Sequence, residues 1–223
     1  MKREGRKIVG VVAWDFQIAR IADRAGVDLV SVGDSVGVNL WGHASADEIT
    51  LEEMLVVCKA VRRGVKRALV NMDLPEKDQR LEAALRLRDV GADMVKLSDE
   101  KVIAQVVRAG IAVFAEFHGG EVPTAQLVDR ARRLEAAGAA LLDFRHSGPV
   151  AGEAVARAVK IPVIGGLGGG PWLDGRMRMA LAAIGYLESK TEQYANVART
   201  ALEALTAYAD DVRSGKQIRG QRA

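Results

Sequence analysis

The sequence predicts a (β/α)8 barrel with a C-terminal helix, formed as a single domain over residues 1–223. Short apolar runs rich in Val, Ile and Leu alternate with longer amphipathic stretches along the whole chain, a pattern typical of parallel strands covered on both faces. Three stretches repeat the order helix end, glycine, strand, at Gly26, Gly91 and Gly138, and glycine suits the left-handed position after a helix. No linker interrupts the alternation, so we favour the barrel over a doubly wound open sheet, which is the alternative.

Seven strands are expected where the apolar runs occur. They cover residues 7–14, 28–34, 67–73, 93–99, 111–118, 140–146 and 161–169. An eighth strand is needed to close a barrel of this type, and we expect it within residues 176–189, where the apolar pattern is weak.

Helices are expected between the strands, where Ala, Leu, Arg and Glu dominate and favour helix formation. The helical stretches cover residues 15–26, 51–64, 77–91, 124–138 and 152–160, with a long C-terminal helix over 191–215. Thr50 precedes Glu53 by three residues, the spacing of a capping box at a helix start.

The composition excludes several classes of protein. Hydrophobic residues make up 49% and charged residues 27% of the chain, which is ordinary for a globular protein and argues against disorder. The net charge of +3 is too small to indicate nucleic-acid binding. No transmembrane or signal segment is apparent, so we expect a cytoplasmic protein. Cys58 is expected to be a buried thiol, and the three histidines fit no zinc-binding spacing.

Polar side chains occur where five of the predicted strands, the second to the sixth, end or are followed by loops. They are Asp34, Ser35, Asn71, Asp73, Lys96, Ser98, Glu116, His118, Asp143 and Arg145. Residues two apart on a strand share a face, and active sites of such barrels lie at the C-terminal ends of the strands. Several carboxylates and one lysine at the same rim predict a site for a metal ion and an anionic substrate.

Each polar residue also has a structural interpretation. Asp34 or Asp73 could cap the following segment, Lys96 could pair with a neighbouring acid, and Asp143 with Arg145 could form a local ion pair. The glycine-rich run "GGLGGGP" at residues 165–171 could bring backbone amides to an anion or form a tight turn. It does not match the spaced dinucleotide-binding motif.

Several stretches resemble the ketopantoate hydroxymethyltransferase family of the phosphoenolpyruvate mutase/isocitrate lyase superfamily. They include "VVAWDFQIARIADRAGVDLVSVGDSVGV", "ITLEEMLVVCKAVRRG", "VNMDLP", "GADMVKLSDE", "IPVIGGLGGGPWLDGRM" and "YADDVRSGKQ". The resemblance implies a (β/α)8 barrel and a homo-oligomer of decamer-like stacked rings. It also implies a pantothenate-pathway reaction, in which Mg2+ stabilises the enolate of a 2-oxo acid and 5,10-methylenetetrahydrofolate supplies the one-carbon unit.

The resemblance also assigns roles to matching positions. Asp34 and Asp73 match metal ligands, Ser35 matches the residue beside the substrate carboxylate, and Lys96 matches the lysine that contacts the oxo acid. We expect Ser98 and His118 to contribute to substrate binding as well.

Three positions differ from the family pattern. Ser98 stands where the family has a glutamate ligand, Glu116 where it has histidine, and Asp143 where it has the catalytic glutamate; the stretch after the fifth strand is also shorter. Our hypothesis is that Glu116 supplies the missing metal-ligand carboxylate, because strand alternation turns the competing Asp99 away. Asp143 would act as the general base if the pocket raises its pKa, with Lys96 as the second catalytic residue.

These positions predict a metal-dependent enzyme that forms or cleaves a carbon–carbon bond through the enolate of a 2-oxo acid, with no nucleic-acid or membrane partner. Addition of a one-carbon unit or of another aldehyde would both use this chemistry. The alternatives are a different lyase or aldolase of the superfamily, and a non-catalytic barrel that binds an oxo acid.

Overall fold

The structure is a computed structural model that describes residues 1–217 and 220. Eight strands form a closed barrel in chain order, and the seven pairings from the first strand to the eighth are parallel. The strands are β1 (Ile8–Val12), β2 (Leu29–Val32), β3 (Leu69–Asp73), β4 (Met94–Leu97), β5 (Ala112–His118), β6 (Leu141–Arg145), β7 (Val163–Gly165) and β8 (Gly175–Met179). The predicted (β/α)8 class is confirmed.

The helices follow the strands as the sequence pattern indicates. They are α1 (Phe16–Arg24), α2 (Val36–Trp41), α3 (Leu51–Gly64), α4 (Leu81–Asp89), α5 (Glu100–Arg108), α6 (Thr124–Ala136), α7 (Gly148–Ala158), α8 (Ala180–Ala183) and α9 (Val197–Arg213). Short 3-10 turns occupy Lys2–Glu4, Ala46–Glu48 and Glu76–Asp78. The capping box of Thr50 and Glu53 is present at the start of α3.

Several boundaries differ from the expectation. β7 covers only Val163–Gly165 of the predicted 161–169, α4 begins at Leu81 rather than at residue 77, and α2 is not among the predicted helices. The eighth strand begins at Gly175, one residue before the predicted stretch, and helix α8 follows it directly. The C-terminal helix begins at Val197 rather than at residue 191, because the Asn196 side chain accepts a hydrogen bond from the Arg199 amide at 3.0 Å and caps the helix there.

The described chain divides into two compact units, Met1–Arg178 and a segment that begins at Met179. The first contains α1 to α7 and almost all of the barrel strands, and the second contains α8 and α9. The single domain over residues 1–223 stays a prediction. Among the helices of residues 1–217 and 220, none is long and apolar enough to cross a bilayer.

The barrel interior changes from apolar to polar along the strands. Its apolar layer consists of Ile8, Leu29, Met94, Phe114, Leu141 and Ile164. Side chains two residues later share the same face, and on four of these strands they are Ser31, Lys96, Glu116 and Asp143. The strand registers set Asp73 beside Lys96 and Glu116 beside Asp143. The polar layer therefore lies toward the C-terminal mouth.

Candidate active site

Lys96 lies at the centre of the polar layer, surrounded by three carboxylates from β3, β5 and β6. Its Nζ lies 2.7 Å from Asp73 Oδ2, 2.7 Å from Glu116 Oε2 and 3.4 Å from Asp143 Oδ2. The lysine side chain is only 12% exposed. A buried ammonium group is costly unless it is paired, and here three strands supply its partners.

The cluster changes the protonation behaviour of its members. Despite burial, the three carboxylates raise the pKa of Lys96, so it is a cation at neutral pH. Burial raises the pKa of Asp73 to about 7 against the opposing charge of Lys96, while the charges of Glu116 and Asp34 raise it further. Burial also raises the pKa of Asp143. A buried carboxyl with a raised pKa has the property that a general base at neutral pH needs.

Glu116 is the most strongly ionised acid of the cluster. Burial alone would raise its pKa, but Lys96 and then Arg145 lower it to about 2. Its second oxygen, Oε1, lies 3.0 Å from His118 Nε2 and 3.4 Å from an Arg145 guanidinium nitrogen. His118 and Arg145 are about half exposed, so Glu116 connects the buried lysine to the rim of the barrel.

Two buried polar side chains, Asn71 and Ser31, donate hydrogen bonds to Asp73. Asn71 is fully buried, and its Nδ2 donates to Asp73 Oδ1 at 3.1 Å and to Ser31 Oγ at 2.7 Å. Ser31 Oγ donates to the same Asp73 oxygen at 3.5 Å. These contacts leave Asp73 Oδ2 directed at Lys96.

A small cavity of about 70 Å³ lies above the cluster. Asp34, Asp73, Lys96, Ser98 and Glu116 all line it. Ser35, which follows Asp34, is the residue before α2 and makes no capping bond with its side chain. The helix-cap interpretation of Asp34 thus finds no support at α2, where Ser35 occupies the cap position.

The loop after β4 places Ser98 and Asp99 in different surroundings. Ser98 donates through its amide and its hydroxyl to Gln79 Oε1, at 3.1 and 3.2 Å. Asp99 accepts hydrogen bonds from the Lys101 and Val102 amides and caps α5. It therefore serves the helix rather than the site, as strand alternation predicts.

The donor types at the mouth fit a hard divalent cation, although the side chains are not preassembled for one. No cluster of three or more His, Cys, Asp or Glu side chains in the described chain is grouped to hold a metal, since Lys96 Nζ lies among the carboxylates. Asp34 and Asp73 nevertheless line one cavity, and the charge of Asp34 disfavours ionisation of Asp73. A cation bound to carboxylate oxygens would relieve that repulsion.

The structure therefore brings five of the predicted residues to one cavity: Asp34, Asp73, Lys96, Ser98 and Glu116. Asp143 contacts Lys96 but is not among the residues that line the cavity. His118 reaches the group through Glu116, whereas Ser35 is absent from the described cavity wall. Sequence reasoning missed Ser31 and Gln79. Ser31 has a usable signal, because it lies two residues after Leu29 of the apolar layer. Gln79 follows a 3-10 turn and carries no such signal.

The fold and the acid-rich mouth define a (β/α)8 barrel with a charged cluster at the C-terminal ends of its strands, and solved structures of phosphoenolpyruvate mutase/isocitrate lyase superfamily members share this fold. A phosphoenolpyruvate phosphomutase from Streptomyces platensis subsp. rosaceus has a TM-score of 0.69 at 16% identity, covering 94% of this chain and 84% of that one. A 2,3-dimethylmalate lyase of the superfamily has a TM-score of 0.67 at 17% identity, and the match covers 99% of this chain and 87% of that one. At these identities the likeness concerns the fold alone.

The particular family is given by sequence. The sequence model described as ketopantoate hydroxymethyltransferase matches residues 1–125 and 117–217. The 3-methyl-2-oxobutanoate hydroxymethyltransferase of Geobacillus kaustophilus is 34% identical over 244 residues, covering 96% of this chain and 87% of that protein. The same enzyme of Synechococcus elongatus is 32% identical, and the alignment covers 100% of this chain and 94% of that protein. The chain belongs to the ketopantoate hydroxymethyltransferase family.

Proposed function

We propose that this protein is a metal-dependent enzyme that forms or cleaves a carbon–carbon bond through the enolate of a 2-oxo acid, as in hydroxymethyl transfer to 3-methyl-2-oxobutanoate. The observation that carries the proposal is the buried Lys96 cation among three carboxylates at the barrel mouth, in a chain of this family.

Asp143 is the proposed base. It removes a proton from C3 of the oxo acid, and the electron pair of the C–H bond becomes the C2–C3 double bond while the keto oxygen takes the negative charge. Lys96, a cation 3.4 Å from Asp143, stabilises that charge, since a fixed charge aimed at a developing oxyanion lowers the barrier. The enolate C3 then attacks an aldehyde carbon, and the aldehyde oxygen takes up a proton.

Asp34 and Asp73 are the proposed holders of a divalent ion, with Glu116 as a third ligand once it releases Lys96. When bound, Mg2+ would supply Lewis-acid polarisation of the keto group. Ser35 would contact the substrate carboxylate, and Ser98 and His118 would orient the rest of the substrate. The one-carbon donor in this proposal is 5,10-methylenetetrahydrofolate.

Hydrogen exchange at C3 tests the enolate step without requiring the second substrate. Proton NMR of 3-methyl-2-oxobutanoate in deuterated water should show loss of the C3 signal with protein and Mg2+, and little loss without Mg2+. The Asp143→Asn variant should lower the rate by at least about a hundredfold, the low end of general-base contributions. Absence of exchange across a panel of 2-oxo acids would favour the non-catalytic binder.

A second assay separates the possible electrophiles. Formation of the hydroxymethyl product with 5,10-methylenetetrahydrofolate would support the family reaction. Exchange without this product, together with reaction of another aldehyde, would support a different aldolase or lyase.

The role of Glu116 is tested separately. The Glu116→Gln variant should bind Mg2+ more weakly in isothermal titration calorimetry, and unchanged affinity would remove Glu116 from the ligand set.

A further inference from the structure

A groove opens beside the candidate active site, between β5, the connection after it and α6. Its volume is about 650 Å³, and it shares Glu76, Ser98 and Glu116 with the cavity above Lys96. That cavity, at about 70 Å³, holds only a few water molecules, whereas pockets for organic ligands measure roughly 300–1,000 Å³. The groove therefore supplies most of the room next to the reacting groups.

The groove lies where this chain differs from its family. Only residues 119–123 connect β5 to α6, and the two segments matched by the family model overlap within residues 117–125. The alignment to the Geobacillus kaustophilus relative spans 244 positions, more than the 223 residues of this chain, so relatives have residues that this chain lacks. The shortened connection leaves the groove open at this point.

The lining of the groove is mixed and carries no excess of positive charge. Val122 is its exposed apolar side chain, at 42%, while Phe117 and Leu127 form an apolar floor that is almost fully buried. Arg130 and Arg133, its two arginines, both pair with Glu100, at 3.0 and 3.1 Å. Glu100 compensates one of these two positive charges, and the lining itself contains three acids, Glu76, Glu116 and Asp129. The groove therefore has no excess of positive charge that would attract an anion.

The barrel geometry relates the groove to one end of the substrate. Under the proposed function, Ser35 contacts the substrate carboxylate on the β2 side, while Glu116 lies on β5, across the mouth. The far end of a 2-oxo acid, which carries the C3 substituent, then faces β5 and the groove.

We propose that the groove binds the C3 substituent, and that this enzyme acts on 2-oxo acids with extended, uncharged C3 chains. This proposal rests on the proposed function, because it depends on the orientation of the oxo acid. The open groove determines the size of the substrate, and the cluster around Lys96 determines the chemistry.

The test compares C3 hydrogen exchange for 2-oxobutanoate, 2-oxohexanoate, 2-oxooctanoate and the charged 2-oxoadipate, with Mg2+ present. The wild type should exchange 2-oxooctanoate at least as efficiently as 2-oxobutanoate, and 2-oxoadipate less efficiently. In Gln126→Trp, a bulky side chain enters the groove from α6, and the ratio of 2-oxooctanoate to 2-oxobutanoate rates should fall about tenfold or more, the size of discrimination that apolar pockets provide. Ala125→Trp, on the same helix but outside the groove lining, should leave the ratio unchanged.

Two outcomes would overturn the proposal while leaving the proposed function intact: exchange confined to short acids, or an unchanged ratio in both Gln126→Trp and Val122→Trp variants that unfold at the wild-type temperature. Absence of exchange with every acid would instead count against the proposed function. In that case calorimetric binding of 2-oxooctanoate tests the groove directly. Weaker binding to Gln126→Trp than to Ala125→Trp supports it, and equal binding or none overturns it.

Discussion

At the scale of single residues, the orientation of Asp73 depends on a fully buried amide. Asn71 donates to Asp73 Oδ1 at 3.1 Å, and Ser31 lies 3.5 Å from the same oxygen, so the second oxygen, Oδ2, is held toward Lys96. Groups that orient a ligand typically contribute a factor of about 10–100 to metal affinity. Asn71→Leu should therefore raise the Kd for Mg2+ at least about tenfold in calorimetry.

The control for this prediction lies on the same strand. Met72 is also fully buried but points away from the barrel interior, so Met72→Leu should leave Mg2+ affinity unchanged. A folded Asn71→Leu variant with wild-type affinity would show that Asn71 has no positioning role.

Asp23 is a buried carboxylate outside the cluster around Lys96, and it contributes to the stability of the fold. Its Oδ1 accepts hydrogen bonds from the Arg67 and Ala68 amides at 2.9 and 2.8 Å. Burial alone would raise the pKa of Asp23, but these backbone donors outweigh it and lower the pKa below the usual value. The stabilisation is thus present above the unfolded-state pKa near 4 and is lost as the pH falls through the lower folded-state pKa.

Asp23→Asn should lower the free energy of unfolding at pH 7 by about 1.5–3 kcal/mol, the range for hydrogen bonds to charged groups. The difference from wild type should shrink as the pH falls below 4, measured by urea denaturation at several pH values. Asp89→Asn, at an exposed carboxylate, should change stability little at any pH. A deficit in Asp23→Asn that stays constant down to the lowest pH would contradict the explanation.

The contacts of Lys96 could be predicted from the sequence only in part. A lysine in an apolar strand, Lys96, predicts paired acids, and alternation predicts which way Glu116 and Asp99 point. The sequence does not predict that Lys96 contacts three carboxylates at once, because that depends on the stagger of β3 to β6. Nor does it reveal Gln79, whose contact with Ser98 joins two loops.

At the scale of secondary-structure elements, α1 and α3 pack closely at Gly64. A Cβ atom on Gly64 would lie 2.6 Å from the Phe16 carbonyl oxygen and 3.0 Å from the Arg20 amide nitrogen. These are backbone atoms and cannot rotate away. Alanine gains about 1 kcal/mol in helix propensity over glycine, but overpacking costs about 1–3 kcal/mol, so the net effect depends on whether α1 can shift.

Because α1 is anchored by the Asp15 cap and by the Asp23 contacts, we expect overpacking to dominate. Gly64→Ala should lower the free energy of unfolding by about 1–2 kcal/mol in urea denaturation. Gly168→Ala is the control, since no heavy atom lies within 4 Å of the added Cβ, and it should have little effect. A Gly64→Ala variant as stable as the wild type would show that α1 shifts easily.

Element prediction succeeded where apolar alternation was strong and failed where local contacts decided. The first seven strands were located by their Val, Ile and Leu runs. β8, with the sequence "GRMRM", has no such run, because arginines alternate with its two methionines. The start of α9 depends on one asparagine cap that helix propensity does not identify.

At the scale of the whole molecule, the barrel was predictable because the first seven strands repeat the same pattern of a short apolar run followed by an amphipathic stretch. The position of the site followed, since the C-terminal ends of all strands meet at one mouth. The groove was not predictable, because it depends on residues that this chain lacks and on the packing of α6 beside β5. A single sequence gives the identity of the side chains, but it does not give the volume that a short connection between β5 and α6 leaves open.

Helix α9 contains no buried residue. Leu202, Leu205, Tyr208 and Val212 are between 52% and 68% exposed, and their spacing places them on one side of the helix. Exposed apolar stripes commonly mark protein–protein contacts, and the family resemblance implies a homo-oligomer. We therefore predict that this stripe contacts a second copy of the chain.

Light scattering after size exclusion should give a mass that is a multiple of the monomer mass. The double variant Leu202→Glu/Leu205→Glu should give a smaller species, because charges buried in an apolar contact are costly. Ala207→Glu, which is exposed on the opposite side of α9, should keep the wild-type mass. A monomeric wild type would contradict the predicted oligomer, whereas an unchanged mass in the double variant would place the contact elsewhere on the surface.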